Sequence, residues 1–132
     1  MKRITIVCIS ILLMASTCRK EGSDCHRKIT IINKSDQDIV QALNFKNTSG
    51  KCILSGSILK PDSSSELRLN ECWESSLADG HAEEIFIVDP NHFNVSGVFY
   101  DCDSIEIKNT VLKHFILNLD DLQSSNFTVS YP

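Results

Sequence analysis

Apolar and polar residues alternate through most of the chain after residue 26, which is the pattern of strands that bury one face. Clusters of Asn, Ser, Asp and Gly separate the alternating stretches and are typical of turns. The run Ile-Phe-Ile-Val at residues 85–88 is apolar at every position, so it predicts a central strand covered on both faces. The whole pattern predicts strands at residues 28–32, 39–45, 53–59, 66–70, 85–88, 95–100, 114–119 and 126–131.

These strands predict an all-β fold: an antiparallel β-sandwich, immunoglobulin-like or similar, with one or two short helical turns. The short polar link between the first two strands favours a hairpin. Asp120 and Gln123 predict a capped helical turn between the last two strands, which are expected to lie side by side. Trp73, the single tryptophan, is expected to fill the core.

The N-terminus has the order of a secretory signal peptide. Lys2 and Arg3 precede an apolar run at residues 4–14, and three small residues follow it. The run is too short to span a bilayer, which needs about 20 apolar residues. Cys18 comes next and resembles the lipid-bearing cysteine of bacterial lipoproteins, so we expect attachment to the membrane through an N-terminal lipid. The alternative is an ordinary cleavable signal with Cys18 as a free thiol.

This interpretation divides the chain into a signal peptide at residues 1–17, a tether at 18–26 and a β-sandwich domain at 27–132. Removing Lys2 and Arg3 with the signal lowers the basic count from 13 to 11, against 17 acidic residues, so the mature formal charge is −6. A nucleic-acid partner requires clustered basic residues, and this charge argues against one.

Four cysteines remain in the mature domain: Cys25, Cys52, Cys72 and Cys102. An even number of widely spaced cysteines in an exported chain predicts two disulfides, with three pairings open. Loop-closure entropy mildly favours the sequential pairing, Cys25 with Cys52 and Cys72 with Cys102. Free buried thiols and a zinc site are the alternatives, but the cysteines lack the short spacings of zinc ligands.

Candidate chemistry is sparse, and we expect no enzyme, no metal and no cofactor. His81 and His92 flank the apolar run at residues 85–88 and are the histidines with a chance of meeting in space. Two Asp-x-Asp pairs, at residues 36–38 and 101–103, resemble calcium loops but lack the following glycine and distal glutamate. Asp103-Ser104-Ile105 resembles the O-glycosylation sequon of Bacteroides-type bacteria, which makes Ser104 a candidate attachment site.

The C-terminal segment reads Val-Leu-Lys-His-Phe-Ile-Leu-Asn-Leu-Asp-Asp-Leu at residues 111–122 and Asn-Phe-Thr-Val-Ser-Tyr-Pro at residues 126–132. It resembles the ending of small lipoproteins of Bacteroides-type bacteria, which close with a leucine-lysine-aromatic strand, an aspartate-aspartate-leucine turn and a tyrosine-proline strand. Residues 29–39 resemble the early strand of the same proteins. The resemblance implies a cell-envelope lipoprotein and no particular activity.

The sequence therefore predicts a lipid-anchored protein of the bacterial cell envelope, in the outer membrane and facing the periplasm or the surface. Its expected role is non-catalytic: binding a protein or a glycan, or supporting an assembly. One alternative is a small envelope hydrolase that uses loop carboxylates or histidines. Another is an inhibitor of secreted enzymes that presents a disulfide-braced loop at residues 74–82.

Overall fold

The computed structural model describes residue 22 and residues 24–93, 100–105 and 109–132. Within these residues the chain is mostly β, as the alternating pattern predicts. The strands are β1 (Lys28–Asn33), β2 (Ile39–Lys46), β3 (Lys51–Leu59), β4 (Ser64–Arg68), β5 (Glu83–Val88), β6 (Tyr100–Asp101), β7 (Val111–Leu117) and β8 (Thr128–Tyr131). The helical segments are short: α1 (Trp73–Ser76), α2 (Leu119–Ser124) and 3₁₀ turns at Ala78–Gly80 and Cys102–Ser104.

The described strands form two sheets that pack face to face. The smaller sheet has the order β4-β1-β8, and the larger has the order β6-β3-β2-β5-β7. Between them lies the main core, to which Ile29 and Ile31 contribute from the smaller sheet and Ile85 and Ile87 from the larger. Trp73 belongs to this core and is 3% exposed, which confirms its expected role as a core residue.

The larger sheet also carries a second apolar cluster on its other face. Val40, Phe86 and Val88 belong to this cluster, and Ile105, beyond the second 3₁₀ turn, packs against them. The sheet is therefore covered on both faces, and β5, which is buried at its last four positions, lies between β2 and β7. This confirms the prediction made from the run at residues 85–88.

The predicted hairpin between the first two strands is wrong, because β1 and β2 belong to different sheets. The link between them is an arch, and the Asn33 side chain holds it in place. Asn33 Nδ2 donates to the carbonyl oxygens of Gln37 and Leu59, and its Oδ1 accepts from the backbone N–H of Ser35. A polar link of five residues is thus long enough to carry the chain from one sheet to the other.

The predicted pairing of the last two strands is also wrong. Helix α2 takes the chain from β7 in the larger sheet to β8 in the smaller one, where β8 pairs with β1. The β1–β8 pair is parallel, so the smaller sheet is mixed and not purely antiparallel. The first and last strands have nearly the whole domain between them, so no short turn imposes an antiparallel direction.

The helical turn between β7 and β8 exists, but its cap differs from the predicted one. Asn118 is the N-cap, and its Oδ1 accepts from the backbone N–H of Asp121 at 2.9 Å, while the Asp121 carboxylate accepts from the Asn118 backbone N–H. This capping box satisfies two helix-terminal donors and starts the helix at Leu119. The prediction placed the same motif two residues too late, on Asp120 and Gln123.

Two disulfides are present, as predicted, but the sequential pairing is wrong. Cys25 is bonded to Cys72, and Cys52 to Cys102, with sequence separations of 47 and 50 residues. The two closed loops overlap along the chain. Loop-closure entropy differs little between loops of such lengths, so the sheet packing decided which thiols met. Two disulfides are typical of a protein that resides outside the reducing cytoplasm.

Cys18, the signal peptide and the predicted strand at residues 95–100, apart from Tyr100, lie outside the described residues. Cys25 and His26, which the sequence assigned to the tether, make firm contacts with the domain. The His26 ring stacks on Phe127 with 3.9 Å between ring centroids, and the Glu74 carboxylate accepts from the His26 backbone N–H at 2.9 Å. Among the described residues, the structure contains no helix whose length and apolar character would allow it to cross a membrane.

The His26–Glu74 contact is expected to make stability depend on pH. Burial alone would raise the pKa of the Glu74 carboxyl, but hydrogen bonds from the His26 side chain and backbone outweigh it and leave this pKa below its usual value of 4.5. Glu74 is 18% exposed, and Glu74→Gln is expected to lower the free energy of unfolding at pH 6 by about 1–2 kcal/mol.

The sign of the pH effect follows from the lowered pKa of Glu74. The carboxylate contributes stability above pH 4.5, and that contribution is lost as the pH falls through the folded-state value. Urea unfolding at several pH values should therefore show the difference between wild type and Glu74→Gln shrinking below pH 4.5. A difference that stays constant down to pH 2.5, well below the carboxyl range, would contradict this account.

Candidate functional site

An open cavity of about 560 Å³ lies on the second apolar face of the larger sheet, at the end where β2 finishes and β5 begins. We call it the groove. Strands β2, β3, β5 and β7 all contribute to its wall, together with the segment of residues 102–105. Its polar and charged lining residues are Asn44, Lys46, Glu83, Glu84, Asp103 and His114.

The Cys52–Cys102 disulfide forms part of this wall. Cys52 is almost completely buried in β3, and Cys102 opens the 3₁₀ turn that supplies Asp103 to the groove. The disulfide holds this turn to β3, and β6, directly before the turn, also pairs with β3. The groove therefore depends on a covalent bond between segments far apart in the sequence.

An imidazole–carboxylate pair lies in the groove. His114 Nε2 is 3.2 Å from Glu84 Oε2, and the His114 ring stacks on Phe86 with 4.2 Å between centroids and 14° between planes. The β5–β7 register places Phe86 directly opposite His114, which explains the stack. The ring is thereby held in one orientation, with one edge toward the carboxylate.

Asn44 contributes an unusual acceptor. Its Oδ1 atom is buried and has no hydrogen-bond partner among the described residues. An unpartnered buried oxygen costs about 1–3 kcal/mol, so native proteins contain few of them. The oxygen has less than 1 Å² of accessible surface, so it is enclosed behind the wall of the groove and is not presented to a ligand.

Glu83 is the first residue of β5 and borders the groove at the end where that strand begins. Burial raises the pKa of its carboxyl above the usual value of 4.5, and the negative charge of Glu84 raises it further. Glu83 is directly opposite Leu117 in the β5–β7 register, and this apolar neighbour helps to exclude water from it. Leu117 belongs to the main core, so the Glu83 side chain lies on the opposite face of the sheet from the neighbouring Glu84.

The raised pKa of Glu83 predicts that removing its charge stabilises the domain. The folded state holds this proton more tightly than the unfolded state, so stability falls as the pH rises from 4.5 through the raised value. Glu83→Gln is therefore expected to raise the free energy of unfolding at pH 7 by about 0.5–1 kcal/mol. Urea unfolding should show this gain disappearing below pH 4.5.

Glu71 offers the matched control for this prediction, because it is exposed in the turn before α1 and Glu71→Gln makes the same change of charge. We expect no comparable gain from Glu71→Gln. Equal gains from the two variants would mean that the net negative charge of the chain, and not the burial of Glu83, accounts for the gain in the free energy of unfolding.

The structure distributes the sequence-predicted site residues widely. Cys52 and Cys102 reach the groove, whereas Cys25 and Cys72 join at the other disulfide. Ser104 is half-buried at the end of the 3₁₀ turn, between groove-lining Asp103 and Ile105.

His81 and His92 do not meet, since β5 lies between them as an extended strand of 6 residues. The inhibitor-type loop at residues 74–82 is partly anchored by Leu77, which packs in the main core. Among the described residues, no group of three or more metal-ligating side chains is present.

Asn44, Glu84 and His114 were not identified as a group from the sequence, because they come from three different strands. Alternation along β5 and β7 indicated which residues share a face, but not that these two strands are neighbours. In comparisons with known proteins, no family model matches the chain, and no curated protein or solved structure matches it significantly.

Proposed function

We propose that this protein is a lipid-anchored, non-catalytic binding module of the bacterial cell envelope and that the groove is its binding site. The Cys18 signal and the two disulfides support the location. The observation that carries the binding role is the groove itself, an open cavity on which the Glu84–His114 pair and the Asp103 carboxylate converge. The ligand is a protein or a glycan presented in the envelope.

The lining of the groove favours binding over reaction. Its described residues include no serine, threonine or tyrosine hydroxyl, and both of its cysteine sulfurs are joined in a disulfide. The described lining therefore lacks a hydroxyl or free thiol nucleophile, although it contains a histidine and carboxylates, which some enzymes use as nucleophiles. Such a set of side chains is suited to holding polar and charged groups.

The anchor is tested by intact mass measurement of protein extracted from membranes. We expect the mass of the chain from Cys18 onward plus a diacylglyceryl group, and we expect Cys18→Ala to abolish both the modification and the membrane fraction. Protein that is released without fatty groups would overturn this part of the proposal.

The binding role is tested by site-specific photocrosslinking in whole cells. A photoreactive residue in place of Lys46 lies in the groove, whereas one in place of Ser64 lies on β4 of the other sheet. We expect a discrete crosslinked product from position 46 and none from position 64. Crosslinking that is equal at both positions, or absent from both, would remove the groove as the binding site.

A second candidate function is hydrolysis, favoured by the Glu84–His114 pair. A carboxylate that orients an imidazole is the arrangement by which a histidine activates water. The test is turnover of chromogenic ester and glycoside substrates by the purified full chain and by His114→Ala. Turnover that disappears in the variant would establish the enzyme, and identical background rates would exclude this role for the pair.

A further inference from the structure

We propose that the outer edge of β7 pairs with the same edge of a second copy of this chain, antiparallel and about a twofold axis at Phe115. Two of the larger sheets then join into one continuous sheet. This inference goes beyond the proposed binding function and does not depend on what the groove binds. The observation that carries it is an apolar edge strand whose regular part is complementary to itself.

Strand β7 has an open edge. It is the last strand of the larger sheet, and among the described strands β5 is its only partner. Its other edge therefore presents backbone N–H and C=O groups that no described strand satisfies. A row of such groups is a template to which a further strand can add, and main-chain hydrogen bonds then hold the added strand.

The two edge strands of the smaller sheet are protected from such pairing, whereas β7 is not. β4 carries Glu66 and Arg68 at exposed positions, and β8 has only 4 residues. Charge and short length are common means by which proteins block an edge. Five of the 7 residues of β7 are Val, Leu, Ile or Phe, and Ile116 is 61% exposed.

The β5–β7 register limits the part of the edge that a second strand can use. An irregularity between Ile87 and Val88 leaves Leu112 without a partner residue on β5, so the regular part of β7 is residues 113–117. Phe115 is the middle of this stretch, and an axis there pairs the whole of it with the second copy. An axis at Lys113 would instead set two ammonium groups opposite each other, which destabilises a sheet.

The axis at Phe115 brings compatible side chains together. Phe115 meets Phe115 of the second copy, and aromatic cross-strand pairs are stabilising. Ile116 and His114 share the face that carries the groove, since they lie opposite Glu84 and Phe86. Ile116 therefore lies opposite His114 of the second copy, and the twofold makes this contact twice. The pairing removes the exposed apolar surface of Ile116 from water.

Charge complementarity favours a second copy as the occupant of this edge. In the same register Lys113 lies opposite Leu117 of the second copy, beyond which that chain enters α2. The first turn of α2 carries exposed Asp120 and Asp121. Within the described part of the chain, neither Lys113 nor Asp120 forms an ion pair. The pairing therefore brings an ammonium group toward carboxylates at both ends of the interface.

The first test is site-specific photocrosslinking in whole cells from position 116. The matched control is Ile58, which is 63% exposed and lies on β3 of the same sheet. We expect a product of twice the chain mass from a photoreactive residue at position 116 and none from position 58. Mass spectrometry of the digested product should join position 116 to the peptide that contains His114.

The second test is sedimentation equilibrium of the purified full chain. We expect a dimer, and we expect Ile116→Lys to raise its dissociation constant at least about tenfold, because the change buries a charge in place of an apolar side chain. Ile58→Lys should leave the dissociation constant unchanged. Both positions are largely exposed, and thermal unfolding confirms that each variant is folded.

A charge exchange tests the register independently of Ile116. Lys113→Glu should raise the dissociation constant of the dimer by about fivefold, since like charges then approach each other at both ends. Adding Asp120→Lys to Lys113→Glu should restore the affinity, because opposite charges again face across the twofold. Asp120 does not cap α2, so the helix should be kept.

A chain that stays monomeric and gives no product of twice its mass from position 116 would overturn the proposal. A product that joins position 116 to a different protein would overturn it in favour of an unrelated partner strand. Equal weakening by Ile116→Lys and Ile58→Lys would overturn it by showing that the copies associate through general apolar surface.

Discussion

Replacing Cys52 and Cys102 together by alanine is expected to lower the free energy of unfolding by about 4 kcal/mol. The disulfide closes a loop with a sequence separation of 50 residues, and the chain-entropy relation gives about 4 kcal/mol for a loop of that length. A loss of this size is a large part of the 5–15 kcal/mol that typically stabilises a single domain. Urea unfolding followed by the fluorescence of buried Trp73 measures it directly.

The other disulfide provides the matched control. Replacing Cys25 and Cys72 by alanine opens a loop with a separation of 47 residues, so its entropic cost is nearly the same. Only the Cys52–Cys102 variant should also lose the crosslink from position 46, because only that bond forms part of the groove wall. A loss below about 1 kcal/mol in both variants, or peptide mapping that links Cys25 to Cys52, would contradict the structure.

Asn33→Ala is expected to lower the free energy of unfolding by about 3 kcal/mol. Asn33 is 0% exposed, and its amide donates to the carbonyl oxygens of Gln37 and Leu59. Truncation would leave these acceptors without their Asn33 donor in a region that excludes water, and it would also empty the volume of the side chain. The arch between β1 and β2 would then lose the contacts that hold it against the end of β3.

Asn47→Ala is the control for this prediction. The Asn47 side chain also accepts from two backbone N–H groups, those of Ser49 and Lys51, but it does so in an exposed turn. Water replaces those bonds at little cost, so we expect a loss of less than about 1 kcal/mol. Equal losses in the free energy of unfolding of the two variants, measured in urea, would show that burial does not explain the contribution of Asn33 to stability.

Local sequence patterns predicted strands because the alternation of apolar and polar residues follows from which face of a strand meets the core. The alternation of Phe127, Val129 and Tyr131 and the unbroken apolar run of β5 are visible without any partner. The sequence did not reveal which strands pair with each other in the sheets. Asn33 shows why. Its residue type indicates only a turn, yet its hydrogen bonds to the carbonyl oxygens of Gln37 and Leu59 hold the chain where it crosses to the other sheet.

The disulfide pairing and the groove share this dependence on distant contacts. Cys52 reaches Cys102 only because β3 pairs with β6 immediately before the 3₁₀ turn. His114 reaches Glu84 only because β7 packs beside β5, 30 residues away along the chain. The residues of the groove carry no motif of their own, so no spacing in the sequence could have revealed them.

The amino-acid order alone revealed the alternating strands, because alternation is a property of neighbouring residues, and the even set of four cysteines, because that is a matter of counting. Packing settled the rest: the crossing of β1 to β2, the parallel β1–β8 pair, the joining of Cys25 to Cys72 and the meeting of Asn44, Glu84 and His114. These features depend on which surfaces exclude water together, and most of those surfaces belong to segments far apart in the sequence, where local preference does not determine the partner.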